Sequence, residues 1–363
     1  MRHPRGAWEI RKRFVSQRVT IARHHGVMKL IIQIPCLNEA EHLPQALMAL
    51  PRHVPGFDQV EWLVIDDGSS DNTSGIARLY GVDHVVRLPY NQGLARAFMT
   101  GIEACLRAGA DVIVNTDADN QYDATCIPDL VAPIVSGRAQ IVVGARPIEE
   151  IAHFSALKRR LQRFGSWAVR LASGTDVPDA ASGFRAIHRN AAQHLYVFNS
   201  FTYTLETIIQ AGRKNIPVTS VPIRVNGQTR PSRLFKSMFG YILRSVVTIL
   251  RIALLYRPLR VFSALAAMIA LPGLLAIARF LYFFATGDSS GHIQSLAIAG
   301  VLVSVGTIVA MGGLLADLIA ANRTLLEDLR TRQLAASLNE DARRADNASV
   351  APEQPAHKIA QSA

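Results

Sequence analysis

Two aspartates one residue apart, Asp117 and Asp119, are the side chains of this sequence best placed to do chemistry. They follow a short apolar run, Val112–Val114, which predicts a buried strand. Carboxylates at the carboxyl end of a strand in an open α/β sheet lie where such folds bind ligands. Oxygen donors this close together suit Mg²⁺ or Mn²⁺, which bind through one or two carboxylates and keep sites for water and phosphate oxygens. A solvated turn is the alternative, because Asp and Asn are also common turn residues.

The elements that must position this pair alternate between apolar strands and helices. The predicted strands are Leu30–Ile34, Trp62–Ile65, His84–Leu88, Val112–Val114, Gln140–Val143 and Pro217–Val225. The predicted helices are Ala40–Leu50, one that ends at Tyr80, one that ends at Leu106, and Ile127–Ser136. Strands that alternate with helices in short units predict a parallel sheet of the nucleotide-binding type.

The charge of the chain indicates an anionic partner. Its 363 residues include 39 Lys and Arg against 28 Asp and Glu, a formal charge of +11. Nucleic acid and a membrane surface are both compatible with that charge, although the basic residues cluster near the predicted membrane face, which disfavours nucleic acid. Three cysteines without metal-ligand spacing fit a reducing compartment, where we expect them to be small buried hydrophobes.

Two apolar runs, Val261–Ala285 and Ile293–Ala321, each exceed the ~20 residues needed to cross a bilayer. The loop between them, Thr286–His292, has no Lys or Arg, whereas arginines flank the opposite ends of both runs. The positive-inside rule therefore predicts an integral protein of the plasma membrane with both termini in the cytoplasm. Pairs of small residues in the second run would allow a homo-oligomer, or would simply face lipid.

Segments on either side of these runs are basic or polar. Residues 1–27 form a basic leader without the apolar core of a signal peptide, and we expect it to be disordered. Residues 230–258 are predicted to form an amphipathic helix at the headgroup region, with a core-facing helix as the alternative. Residues 323–363 are predicted to be a cytoplasmic, mostly disordered tail.

Four motifs in order resemble those of the inverting family 2 glycosyltransferases: IPCLNE, DDGSSDNT, NQGLARA and DADNQY, each at a predicted strand end. The resemblance covers Leu30–Val143 and implies an α/β fold, a GT-A nucleotide-sugar-binding (Rossmann-like) domain with a mostly parallel sheet over residues 28–229. By resemblance, the donor-binding residues are Pro35, Asn38, Glu39, Asp66, Asp67, Asn91, Gly93 and Asp117. Turn capping by Asp66, and helix initiation by Asn91 and Gly93, are the alternatives.

The same resemblance implies a divalent metal, Mg²⁺ or Mn²⁺, at DADNQY. Asp119 is the expected ligand with Gln121 assisting, and Asp117 is expected to face the ribose or the water shell of the metal. A nucleoside diphosphate gains negative charge as it leaves, and a bound cation stabilises that charge as a Lewis acid.

The stretches Gly144-Ala145-Arg146 and Ser182-Gly183-Phe184-Arg185 are similar to those of the dolichol-phosphate mannosyltransferase branch. Between them lies a basic stretch, Ala156–Leu171, which is predicted to be either a solvated helix or one at the membrane surface. The implied acceptor is a polyprenyl phosphate, and its implied ligands are Arg146, Arg160, Arg163, Ser182 and Arg185. The implied catalytic residues are Asp117, Asp119, Asp179 and Arg185, with Asp179 orienting the acceptor.

The predicted function is transfer of a sugar from a UDP- or GDP-sugar to a polyprenyl phosphate, with inversion, on the cytoplasmic face of the membrane. One alternative is a non-processive enzyme that acts on a lipid-linked or cell-wall glycan. Another is a membrane protein that binds nucleotide-sugars without turnover, which the intact pair Asp117 and Asp119 disfavours. A processive polysaccharide synthase is disfavoured because its QxxRW signature does not follow DADNQY.

Overall fold

The computed structural model describes residues 27–147, 170, 173–197, 203–226, 254, 258–286 and 293–350. The predictions for the leader, for the basic stretch with Arg160 and Arg163, for the juxtamembrane helix and for the loop after residue 286 fall almost entirely outside these residues.

The described strands form one mixed sheet in the order β3-β2-β1-β4-β6-β5-β7. They are β1 Lys29–Cys36, β2 Gln59–Asp66, β3 His84–Arg87, β4 Val112–Asn115, β5 Ile141–Ala145, β6 Arg185–His188 and β7 Val218–Pro222. The pairs β1–β2, β1–β4, β2–β3 and β5–β7 are parallel, and only β6 runs antiparallel to its neighbours β4 and β5. The predicted α/β architecture with a mostly parallel sheet is confirmed.

Helices cover both faces of the sheet and extend beyond it. They are α1 Leu43–Ala49, α2 Thr73–Leu79, α3 Leu94–Arg107, α4 Ile127–Val135, α5 Arg189–His194, α6 Tyr203–Arg213, α7 Pro258–Ala285 and α8 Ile293–Val350. The first helix begins three residues later than predicted, because Pro44 occupies its first turn, where a missing N–H is tolerated. The sequence did not predict β6, α5 or α6.

The core is split by the sheet into two apolar layers. Strand β1 is buried on both faces, with Ile32 in one layer and Ile31 in the other. Such burial is expected for a strand flanked by parallel neighbours and covered by helices on both sides. Helix α3 buries Phe98 and Ile102 in the same layer as Ile31, so its position is fixed along the whole sheet. The two layers thus hold the sheet whose carboxyl edge carries the loops of the candidate site.

Helices α7 and α8 are each long and apolar enough to cross a membrane, as the two apolar runs predicted. They pack closely against each other, since a Cβ at Gly306 would lie 2.7 Å from the Cβ of Ala270. Gly313 likewise faces α7, whereas Gly300 and Gly312 have open space around them.

The prediction of a mostly disordered tail is wrong for residues 323–350, because α8 continues as one helix through Val350. Composition favoured disorder here, since the stretch is rich in Ala, Asp, Glu and Gln. The stretch is stabilised by contacts with the domain, and composition cannot reveal such contacts.

Candidate active site

The loop that follows β4 carries the aspartate pair. Asp117 and Asp119 are both half-buried, and the backbone N–H of Gln121 donates to Oδ1 of Asp119 at 3.1 Å. Asn120 adopts a left-handed conformation with φ of 54°, which Asn tolerates better than most residues. The loop is braced by Asn226, whose backbone N–H donates to the Gln121 carbonyl at 2.9 Å and whose side chain donates to the Asn120 carbonyl. Both carboxylates are thus presented on a fixed turn.

Asp117 packs directly against Gly183 of the segment that leads into β6. A Cβ at position 183 would lie 3.3 Å from both carboxylate oxygens of Asp117 and 2.9 Å from the Tyr203 hydroxyl. The Gly183 peptide is held from both sides, since its N–H donates to Tyr122 Oη at 3.0 Å and its carbonyl accepts from Asn115 Nδ2 at 2.9 Å. A glycine at this position is therefore what allows the carboxylate of Asp117 to lie where it does.

A buried polar chain supports that contact from inside the sheet. Gln33 on β1 donates through Nε2 to Oδ1 of Asn115 at 2.9 Å, and Asn115 Nδ2 also donates to the Tyr203 hydroxyl at 3.0 Å. The Tyr203 ring stacks on Phe98 of α3 with centroids 4.1 Å apart. Sequence reasoning missed Gln33, Asn115, Tyr122 and Tyr203. The one signal available was that Gln33 and Asn115 are polar residues within apolar strands, a position that demands a hydrogen-bond partner.

Replacing Gly183 by alanine should cut the rate of the predicted sugar transfer roughly ten- to a hundredfold. The new methyl group would clash with the Tyr203 hydroxyl at 2.9 Å and crowd the Asp117 carboxylate at 3.3 Å, and small misplacements at a reacting site are costly. Steady-state kinetics on the purified variant measures this. Gly312→Ala is the matched control, since its Cβ meets nothing within 4 Å and activity should be unchanged. An active Gly183→Ala variant would show that the contact does not matter.

The first two acidic residues of DDGSSDNT stabilise the loop after β2 and join it to the loop after β3. Asp66 is fully buried and accepts hydrogen bonds from the Ser69 N–H at 2.8 Å and from the Ser74 hydroxyl. Asp67 accepts from the backbone N–H groups of Gln92 and Gly93 at 2.8 and 2.9 Å. Both carboxylates point inward and hold these loops in place, and their contact with the donor stays a prediction.

The remaining donor predictions fall into two groups. Pro35 and Glu39 are buried, Pro35 within β1. Asn38 and Asn91 are exposed at the tips of their loops, where Asn38 Oδ1 accepts from the Ser70 N–H at 2.8 Å. Gly93 has φ of 91° as the cap of α3, and its N–H also donates to Asn91 Oδ1. The helix-initiating role proposed for Asn91 and Gly93 is thus present in the structure.

Asp66 gives the domain a specific sensitivity to acid. Burial alone would raise the pKa of Asp66, but the hydrogen bonds from Ser69 and Ser74 and the charge of Arg87 lower it. A lowered folded pKa stabilises the protein above the unfolded pKa of about 3.9, and this stabilisation is lost as the pH falls through the folded value. We expect Asp66→Asn to lower the melting temperature at pH 7 and to lower it much less near pH 3. An equal effect at both pH values would refute this assignment.

Arg146, at the end of β5, forms a two-pronged ion pair with Asp179. Its Nε lies 2.7 Å from Asp179 Oδ2 and its Nη2 lies 3.0 Å from Oδ1. Asp179 is buried, and Arg146 retains a small exposed area. The Asp179 carboxylate orients Arg146, and its predicted role in orienting the acceptor stays a prediction. Two of the five guanidinium N–H groups of Arg146 are used by Asp179, which leaves donors for an anion.

Arg185 lies inside the domain, which corrects its predicted role as an acceptor ligand and catalytic residue. Its guanidinium is fully buried and donates to the carbonyls of Ser182 and Thr204 and, at 2.6 Å, to Thr207 Oγ1. Ser182 is fully buried as well, so a surface contact with phosphate from either side chain is not available. Burial lowers the pKa of Arg185, and the interaction with the nearby Tyr203 side chain partly offsets this lowering.

The DADNQY loop suits a divalent ion that takes only a few of its ligands from the protein. Within the described residues, no group of three His, Cys, Asp or Glu side chains converges on one point. An ion here would therefore take one or two oxygens from Asp119, Gln121 and Asp117, with water and a diphosphate completing its shell. Mg²⁺ and Mn²⁺ accept such a set, so the prediction of the ion type is compatible with these donors.

Comparison with known proteins places these features in a family. Residues 31–196 match the model of glycosyl transferase family 2. An uncharacterised glycosyltransferase of Mycobacterium tuberculosis is 30% identical over 214 residues, which cover 58% of this chain and 92% of that protein. An undecaprenyl-phosphate mannosyltransferase of Micrococcus luteus is 26% identical, over 54% of this chain and 83% of its own. A UDP-N-acetylglucosamine–dolichyl-phosphate N-acetylglucosaminyltransferase of Methanococcus voltae is 27% identical, over 53% and 83%.

Proposed function

The chain belongs to the family 2 glycosyltransferases and has their GT-A-like fold, and on that premise we propose that it transfers a sugar from a nucleotide-sugar to a polyprenyl phosphate. The reaction would take place with inversion, on the cytoplasmic face of the plasma membrane. The observation that carries the proposal is the half-buried pair Asp117 and Asp119 at the carboxyl end of β4, with Asp117 fixed against Gly183.

The donor half of the site follows from the loops already described. Asp119 and Gln121 would hold the metal, which supplies Lewis-acid stabilisation of the departing diphosphate when bound. Asn38 and Asn91 stand exposed on the loops after β1 and β3, which are tied to the loop after β2 through Ser69 and Asp67 respectively. They are therefore the side chains we assign to the base and ribose. Asp117 would orient the donor at the reacting carbon.

The acceptor half requires an anion near Asp117, and Arg146 is the described residue that meets this need. Asp179 fixes the Arg146 side chain through two hydrogen bonds, which pre-organises its remaining N–H groups. A phosphate oxygen is already ionised at neutral pH, so attack needs no strong base, and catalysis would rest on positioning and charge stabilisation. Arg160 and Arg163 remain proposed ligands from the sequence.

Two findings support a lipid acceptor over a soluble one. The chain carries two helices that are long and apolar enough to span a membrane. The relatives from Micrococcus luteus and Methanococcus voltae are named for transfer to undecaprenyl phosphate and dolichyl phosphate. Those relatives differ in their sugar, so we leave the donor as UDP- or GDP-linked.

A radiolabel screen tests the proposal. Purified full-length protein in vesicles that contain undecaprenyl phosphate would be supplied with labelled UDP-glucose, UDP-N-acetylglucosamine and GDP-mannose in turn, with Mg²⁺ or Mn²⁺. We expect one donor to label the organic-phase lipid. Label that enters only a lipid-linked glycan added in parallel would favour the glycan-modifying alternative, and binding of a donor without any transfer would favour a non-catalytic binding protein.

The proposed orientation makes a separate prediction about accessibility. Because Thr286–His292 has no Lys or Arg, a cysteine introduced at Ser289 should react with a membrane-impermeant maleimide from outside intact cells. A cysteine introduced at Arg332, on the arginine-rich side, should react only after the cells are permeabilised. The reverse labelling pattern would overturn the cytoplasmic assignment of the catalytic domain.

A further inference from the structure

The part of α8 that follows its apolar stretch lies against the catalytic domain along one helical face. The side chains of this face recur at spacings of three and four residues: Arg323, Glu327, Arg330, Leu334, Leu338 and Asp341. Residues spaced in this way share one side of an α-helix. We refer to residues 323–341 as the strut.

The membrane-proximal end of the strut is held by a nearly buried charge network. Arg323 Nη2 lies 2.8 Å from Oε1 of Glu206 on α6, and Arg323 Nε lies 3.1 Å from Oε1 of Glu327. Glu327 Oε2 in turn lies 3.4 Å from Nζ of Lys214. All four side chains are less than a fifth exposed, so these pairs are screened far less than surface ion pairs.

Further along, the strut makes apolar and charged contacts with the domain. Leu338 is only 5% exposed and joins the apolar layer that contains α3, with Leu334 packed beside it. Arg330 pairs with Glu103 and stacks over the Tyr196 ring at 4.1 Å from its centroid. The far end is tied by Asp341, whose Oδ2 lies 3.0 Å from Nη1 of Arg107.

Two of the helices that the strut contacts, α3 and α6, also support the candidate site. Helix α3 carries Glu103 and Arg107, and its capping residue Gly93 is bound by Asp67. Helix α6 carries Glu206 together with Tyr203, the residue that contacts the Gly183 position. One continuous helix therefore joins a candidate membrane span to both supports of the donor site.

We infer that the strut fixes the catalytic domain relative to the bilayer, so that the aspartate pair meets a membrane-embedded phosphate at a set height. This inference rests on the proposed function, since it concerns access to a lipid acceptor. The strut is a positioning element. It would contribute to use of an acceptor within a membrane and would not contribute to binding of the water-soluble donor.

Two matched double variants of the full-length protein test this. Leu334→Asp with Leu338→Asp places two carboxylates on the contact face of the strut, whereas Gln333→Asp with Ala336→Asp places two on exposed positions of the same helix. Each is assayed for transfer to undecaprenyl phosphate in vesicles and to geranyl phosphate in detergent, using the donor that the unmodified protein uses. Donor affinity is measured by calorimetry.

We expect the contact-face variant to lose at least tenfold in kcat/KM with the vesicle acceptor, while its use of geranyl phosphate and its donor affinity change less than twofold. The exposed-face variant should behave as the unmodified protein. A contact-face variant that loses equally with both acceptors, or that loses nothing, overturns the inference. If the unmodified protein itself transfers sugar to neither phosphate, that result contradicts the proposed function and not the role of the strut.

A charge exchange provides a second, independent measurement. Arg330→Glu places a carboxylate beside Glu103 and should lower use of the vesicle acceptor, and Glu103→Arg combined with it should restore that use. Recovery in the double variant requires that the strut and α3 be in contact during turnover. A double variant no better than Arg330→Glu alone argues against the strut.

Discussion

Replacing Asp119 by alanine is expected to lower the rate of sugar transfer at least about a thousandfold. A Lewis-acidic ion supplies several kcal/mol of transition-state stabilisation, and ~4 kcal/mol corresponds to about three powers of ten in rate. The half-buried carboxylate of Asp119 is held in a turn by the Gln121 N–H, and it is the ligand that we expect to contribute most to binding the ion. Initial rates with saturating donor and lipid measure the effect.

An exposed aspartate on the next helix provides the control for this variant. Asp129→Ala lies in the first turn of α4 and should leave the rate within about twofold, since helix-terminus charges contribute only a few tenths to 1 kcal/mol. A chelator should reproduce the Asp119→Ala defect in the unmodified protein, and added Mg²⁺ or Mn²⁺ should reverse it. Full activity in chelator would contradict the metal assignment.

The second large effect is expected at the Arg146–Asp179 pair. Arg146→Ala should lower the free energy of unfolding by about 3–5 kcal/mol, because it leaves the charge of Asp179, only 1% exposed, without a partner. Denaturant titration of the detergent-solubilised protein measures this loss. Arg52→Ala is the control, because the ion pair between Arg52 and Asp83 is far more exposed. Its loss should lower the free energy of unfolding by no more than about 1 kcal/mol.

Combining Arg146→Ala with Asp179→Ala separates the structural role of the pair from its proposed acceptor role. Removing both charges should restore most of the stability, since the unpaired buried carboxylate is gone. Lipid use should stay impaired because the phosphate-binding guanidinium is still missing. A stable double variant with a normal Michaelis constant for polyprenyl phosphate would remove Arg146 from the acceptor site.

The sequence predicted every described strand except β6, because buried strands depend on local patterns, and the same patterns led to the proposed position of the site. Apolar runs at regular intervals locate buried strands, and polar residues directly after them locate the ligand edge of a parallel sheet. The direction in which each polar side chain points is not local. Asp66 and Asp67 have the residue type expected of a donor ligand, yet their carboxylates bind loop amides that lie up to 26 residues away in the chain.

Contacts between residues far apart in the chain, which local patterns do not reveal, also explain the corrections at Arg185 and in the tail. The motif that contains Arg185 indicated a phosphate contact, but Arg185 begins strand β6, where its side chain faces the carbonyl groups around α6. The strut is too polar for composition to predict order, and its stability comes from residues such as Glu206 more than a hundred positions earlier. The apolar spacing of Leu334 and Leu338 was the only local sign of it.

Nuclear magnetic resonance of the product lipid, made from a donor labelled with ¹³C at the anomeric carbon, tests the proposed reaction most directly. If the chain transfers the sugar by a single displacement onto polyprenyl phosphate, that carbon will couple to one phosphorus and will carry the configuration opposite to that of the donor. An anomeric carbon without phosphorus coupling, or one with the donor's configuration retained, would contradict the proposed reaction.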